Sequence, residues 1–130
     1  MKKIILISII LLFVPYNALA GKFFADSYGE DWNKLDTCLL TSYNILVAID
    51  WMQTKEIAKH PERWKELNPA FHTHPSIGEV NTKIGLTTAA INLIYPAFNP
   101  KFRRFFIGGT ITCEVLAVAH NYSMEIRIKF

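Results

Sequence analysis

Asp50, Gln53, Thr54, Glu66, Asn68, His74, Asn81, Glu114, His120 and Asn121 are the residues of this chain whose types could do chemistry together. Carboxylates and imidazoles grouped at the mouth of an apolar bundle can do two kinds of work. They can ligate a metal through neutral His and carboxylate oxygen, and His74, His120, Asp50 and Glu66 are the candidate ligands. Alternatively, one carboxyl with a raised pKa can exchange protons with a nearby His, as general acid–base catalysis requires. No strong motif marks either chemistry. His72-Thr73-His74 suits an extended segment, and no His-Glu-x-x-His helix supports it. A Gly-x-Ser-x-Gly elbow, a Walker loop and a Cys/His nucleophile pattern are all missing from the sequence. The plainer assignment is structural: Asp50 ties down the loop after it, Glu66 pairs with a neighbouring Lys, and His120 and Asn121 satisfy a helix C-terminus. The cofactor, if there is one, is unknown from the sequence.

For these residues to meet, three helices must fold back on one another. Thr37 to about Lys59 carries a long apolar run without Gly or Pro, and His60-Pro61 stops it, with Asp36 as the expected cap. Ser76-Ile77-Gly78-Glu79 has the spacing of a capping box, opening a second helix from Ile77 to about Tyr95. On it Asn81, Gly85, Thr88 and Asn92 recur at helical spacing, while Val80, Ile84, Ile91 and Ile94 form the apolar side. A third helix runs from about Phe102 to His120, with a small-residue stripe at Gly108, Gly109, Thr112 and Cys113 that would let helix backbones approach closely. Between the first two helices lies a segment rich in His and Pro, in which Pro61 to Leu67 could make a helical turn. The last residues, from Met124 to Phe130, alternate apolar and charged in the period of a strand.

Short connections make an up-down-up arrangement the default. The end of the first helix, the start of the second and the end of the third then share one pole. Glu114, six residues before His120, would sit about 9 Å deeper at 1.5 Å per residue.

The first twenty residues read as a secretory leader: Lys2 and Lys3, an apolar run from Ile4 to Val14, and Ala18-Leu19-Ala20 as a small-x-small cleavage site. The expected organisation is therefore a signal peptide over 1–20 and one helical domain over 21–130. The whole chain has 14 basic and 11 acidic residues, net +3. Without Lys2 and Lys3 the balance is 12 against 11, or +1. That leaves no basic field for nucleic acid. Cys38 and Cys113 lie far apart in helical patterns, read either as a bridge allowed by an oxidising compartment or as two small buried side chains.

Several words in the chain form a set: Asp50-Trp51-x-Gln53-Thr54, Lys59-His60-Pro61, Glu66-x-Asn68-Pro69, His74-Pro75-Ser76-x-Gly78-x-Val80-Asn81, and Glu114 followed by His120-Asn121-Tyr122-Ser123. Over roughly residues 45 to 123 this resembles a set of small exported or membrane proteins of tailed phages and prophages. More loosely, an Asp-x-x-x-Thr helix followed by Glu-x-Asn-Pro and a helix-borne Lys, here Lys83, is similar to a family of short bacterial membrane proteins of unknown function. The resemblance implies no activity. It implies that Asp50, Gln53, Thr54, Glu66, Asn68, Pro69, His74, Asn81, Glu114, His120 and Asn121 form the signature. The chain departs from the set at Phe71-His72, where a Leu-Gly-like turn is expected.

The resulting expectation is an all-α protein: a signal peptide, then a three-helix up-down-up bundle inserted in a membrane, then a short extended C-terminal tail. The helices' apolar stretches are marginal for spanning, and the positive charge at Lys101, Arg103 and Arg104 runs against the orientation that the Lys55 to Lys83 loop favours. The expected location is the inner membrane after export, with the periplasm as the alternative. The expected partners are the membrane itself, and a protein reached through the polar cluster or through strand pairing by the tail. The rival expectation is a metal-dependent or acid–base enzyme using the cluster.

Overall fold

The computed structural model describes residues 24–25, 28–68 and 70–128. The leader at 1–20, the signature residue Pro69 and the last two residues of the alternating tail lie outside the described residues.

Three helices make up the fold: α1 (Lys34–Lys59), α2 (Ile77–Ile94) and α3 (Pro100–Ser123), with one 3-10 turn, Tyr95–Ala97, between the last two. Each start has a side-chain cap. Asn33 caps α1 by accepting from the Leu35 and Asp36 amides, and Asp36 closes the capping box by accepting from the Asn33 amide. The cap is therefore Asn33, not Asp36, and α1 starts one turn earlier than the apolar run suggested. On α2 the Ser76 hydroxyl accepts from the Glu79 amide at 3.1 Å. The Glu79 carboxylate does not complete the expected box. It lies 2.7 Å from Lys83 Nζ and 3.0 Å from His72 Nδ1. Asn99 caps α3 through the Phe102 amide, with Pro100 at the first position, where its missing N–H costs nothing.

Five long-range pairs set the register. Asn44 and Asn92 exchange side-chain amide bonds at 2.9 and 3.0 Å, and Trp51 Nε1 donates to Asn81 Oδ1 at 2.9 Å. On the other side of α1, Arg103 and Arg104 bind Asp36, and Asn121 Nδ2 donates to Asp50 Oδ1 at 3.1 Å. So α1 runs antiparallel to α2 and parallel to α3, and the topology is up-down-up. Both α2 and α3 pack along α1, but they barely touch each other. This is an open bundle with α1 as its spine. Tyr43 and Val47 of α1, Val80 and Ile84 of α2, Ile107 of α3 and Tyr95 of the turn form the buried core.

Two local expectations fail. Residues 61–63 make a turn but no helix. Residues 124–128 form no strand: Glu125 takes a left-handed φ of 61°, which turns the chain back so that the Ile126 amide reaches the Asn121 carbonyl and its side chain is fully buried. The alternation thus marks which tail side chain is buried, without a partner strand. Phe24 and Phe98 form an isolated antiparallel bridge that lays the N-terminal end of the described chain on the α2–α3 turn. Cys38 and Cys113 are exposed and unbridged, neither disulfide nor buried.

Candidate functional site

A cleft opens where α2 and α3 diverge over α1. Its central recess, about 130 Å³, is lined by Tyr43 and Asp50 of α1, Lys83 and Thr88 of α2, Glu114 of α3, and Asn68 and Phe71 of the connecting loop. The positions follow from the helical repeat. Tyr43, Val47 and Asp50 lie on one face of α1, as do Ile84, Thr87 and Thr88 on α2. A mouth of about 240 Å³ continues from Asp50 past Glu66 and Asn68 to His120 and Asn121. An apolar arm of about 450 Å³ continues the other way from Tyr43 and Glu114, between Thr87 and Ile91 on α2 and Phe105, Phe106, Gly109 and Cys113 on α3.

The connecting loop delivers its side chains through its own hydrogen bonds. The Glu66 amide donates to the Thr73 carbonyl at 2.9 Å, Glu66 Oε1 accepts from the Asn68 amide at 2.7 Å, and Asn68 Oδ1 accepts from the Ala70 amide at 3.0 Å. Lys83 Nζ holds the loop down through the Ala70 carbonyl and lies over the Phe71 ring. That leaves the Glu66 Oε2 atom buried without a partner.

Burial pushes the Asp50 carboxyl up to about 6, the Glu66 charge adds to the rise, and the Thr54 hydroxyl partly opposes it. Burial and the Asp50 charge push Glu114 up to about 7. Burial, reinforced by Glu114, pushes the Tyr43 phenol up to about 12. The cleft therefore holds two carboxyls that change protonation near neutrality, with a phenol that stays protonated.

The opposite pole carries the second polar cluster. Asp36 and Arg103 are both fully buried: Nη2 of Arg103 donates to Asp36 Oδ2 at 2.8 Å and to the Asp31 carbonyl, and Nη1 donates to the Glu30 carbonyl. Arg104 Nε adds 3.1 Å to Asp36 Oδ1. Burial works against the Asp36 charge, but the two guanidiniums and the Asn33 amide overcome it and hold the carboxyl well below its usual range. This cluster is a structural tie with no open face towards the cleft.

Of the residues singled out by sequence, Asp50, Glu66, Asn68, Glu114, His120 and Asn121 converge on the cleft, and Thr54 stands beside Asp50. Three do not. His74 is exposed and lines no part of it. Asn81 is exposed and accepts from Trp51 on the outside of the α1–α2 seam. Gln53 is buried with an unpaired Oε1, away from the cleft lining. Sequence reasoning missed Tyr43, whose signal was its place seven residues before Asp50 on the same face. Among the described residues no three His, Cys, Asp or Glu side chains are grouped to hold a metal ion, so the His74–His120–Asp50–Glu66 ligand set is not assembled. Also among the described residues, no helix is long and apolar enough to cross a membrane.

No family model matches the chain, and neither the curated proteins nor the solved structures contain a match to it.

Proposed function

We propose that this is an exported accessory protein of the cell envelope, of the kind its sequence words resemble in tailed phages, and that it works by contact with a lipid bilayer rather than by crossing it. One observation carries the reading. Across Thr37–Thr54, Ile84–Phe98 and Phe105–Ala119 there is no exposed charge: Asp50 and Glu114 are the charged residues there, and both turn inward to the cleft. Outward point Phe105, 79 % exposed, Leu86 and Leu93 at 68 % each, Leu116, Ile45 and Val115. The charges gather at the two poles, on either side of this uncharged girdle. Exposed apolar area on this scale marks an interaction surface. At 1.5 Å per residue the α3 part of the girdle is about 22 Å long, short of the hydrocarbon thickness of about 30 Å, which favours seating in the interfacial region. Export by the leader read in the first twenty residues would bring such a surface beside the inner membrane.

Flotation with phosphatidylglycerol–phosphatidylethanolamine vesicles tests this. Each exposed Phe or Leu removed from water contributes about 2 kcal/mol. Phe105→Glu or Leu93→Glu should therefore weaken vesicle binding by a factor of ten or more while leaving helix content unchanged. A chain that stays in the aqueous fraction and elutes as a homo-oligomer would assign the girdle to protein contact and overturn the lipid reading.

A second reading has its own observation. Asp50 and Glu114, with pKa values near 6 and 7, line one recess with His120 at its mouth. That is the arrangement general acid–base chemistry uses. Asp50→Asn and Glu114→Gln would abolish such an activity without lowering the melting temperature. Parallel loss of stability and activity would make the pair structural.

A further inference from the structure

The three parts of the cleft are neighbouring recesses that share lining residues and are here called the channel: Tyr43, Thr87 and Glu114 border both the recess and the apolar arm, and Asp50 and Asn68 border both the recess and the mouth. Its two halves differ in chemistry. The arm presents Ile91, Phe105, Phe106 and Cys113 over a length of about 14 Å, taking Phe105 to Glu114 at 1.5 Å per residue. The other half presents the carboxyls of Asp50, Glu66 and Glu114. The nearest cation on α2, Lys83, is already spent on Glu79 and on the Ala70 carbonyl. One carboxylate oxygen there, Glu66 Oε2, is buried with no hydrogen-bond partner. An ammonium group offers three donors and a positive charge to such a set.

The arm is open space. Gly109 lines it, and a Cβ added at Gly109 would meet nothing within 4 Å. The same small-residue stripe that was expected to draw helices together instead leaves room between α2 and α3. The arm also opens onto the girdle at Phe105, so hydrocarbon reaching the girdle can enter it.

We propose that this channel binds a membrane amphiphile with a protonated amine head and a hydrocarbon chain, the head between Asp50 and Glu114 and the chain between α2 and α3. The inference rests on the bilayer contact proposed above and names the lipid chemistry that contact would select. The groups facing the head are Tyr43 and Asp50 from α1, Lys83 from α2, Glu114 and His120 from α3, and Glu66 from the loop. Burial and mutual repulsion leave Asp50 and Glu114 partly protonated near neutrality. Binding of an alkylammonium should therefore tighten as pH rises from 5 to 8, as both carboxyls ionise.

The test is calorimetric titration of the purified chain with dodecylamine and laurate below their micelle-forming concentrations, dodecanol below its solubility limit, and butylamine. Dodecylamine should bind once per chain, at least tenfold more tightly than any of the other three. Glu114→Gln should reduce dodecylamine affinity tenfold or more. Gly109→Leu, whose Cβ meets nothing within 4 Å at this position lining the arm, should do the same while leaving the carboxyls in place. Equal binding of dodecanol would show that the acids select nothing, and equal binding of butylamine would show that the arm takes no chain. Either result overturns the proposal, as does wild-type affinity in both variants. If these titrations fail while vesicle flotation persists, the amphiphile site falls and the bilayer reading stands.

Discussion

Asp36 and Asp50 sit on the same helix, and their surroundings push them in opposite directions. Asp36 meets two guanidiniums and a backbone amide and stays charged. Asp50 is partly buried and faces the repulsive charge of Glu66, which the Thr54 hydroxyl only partly offsets, and its carboxyl rises to about 6. The consequences for stability have opposite sign. A folded pKa above the unfolded value, as at Asp50 and Glu114, means the folded state binds more protons between about pH 4 and 7, so stability falls as pH rises through that window. At roughly 1.4 kcal/mol per unit, Asp50 costs the fold on the order of 2–3 kcal/mol when ionised, and Glu114, half-buried and screened by solvent, costs less. Asp36 and Glu79, held low, contribute stability that is present above about pH 4 and lost on further acidification. Melting temperature against pH should therefore peak near pH 4–5, and Glu114→Gln should flatten the descent from pH 5 to 7. A profile rising steadily to neutrality would contradict the environment assigned to Asp50 and Glu114. Asp36→Ala strands Arg103, which is fully buried, and should cost about 3–5 kcal/mol by denaturant unfolding.

At the scale of elements, the α1–α2 seam carries a polar pair beside the apolar core. Asn44 and Asn92 satisfy each other across α1 and α2, and each also donates to a carbonyl one turn earlier on its own helix. Removing one partner leaves the other unsatisfied, whereas removing both does not. Asn92→Leu should cost about 1–3 kcal/mol, and Asn44→Leu with Asn92→Leu should recover most of it in a double-mutant cycle. Full additivity would mean the pair is not coupled. The first two helices were legible in the sequence because His60-Pro61 and Ser76 punctuate them, whereas α3 starts at Pro100 behind the Asn99 cap, two residues before the expected start at Phe102. The N-terminal boundary of α1 was misread because Asp36 and Asn33 both have capping side chains, and only backbone geometry shows which one accepts from the first amides. The tail was misread because alternation records burial at Ile126, and period two does not distinguish a strand from a turn that folds back.

For the molecule as a whole, the convergence of Asp50, Glu66, Glu114 and His120 was legible because an up-down-up path fixes which helix ends share a pole. The divergence of α2 from α3 was not, since stripes such as Gly108-Gly109 serve close packing and open grooves equally well. Nor could the sequence place His74, whose loop closes through backbone bonds around Glu66 and Thr73. The girdle emerges only when the three apolar runs are stacked side by side and their two carboxylates are seen to point inward. Two native reporters lie in it: Cys38 and Cys113, both exposed and unbridged. Their reaction with a charged, membrane-impermeant maleimide measures the girdle's surroundings directly. Without lipid both thiols should label rapidly. With phosphatidylglycerol–phosphatidylethanolamine vesicles the labelling rate should fall tenfold or more. Identical rates with and without vesicles would contradict the account.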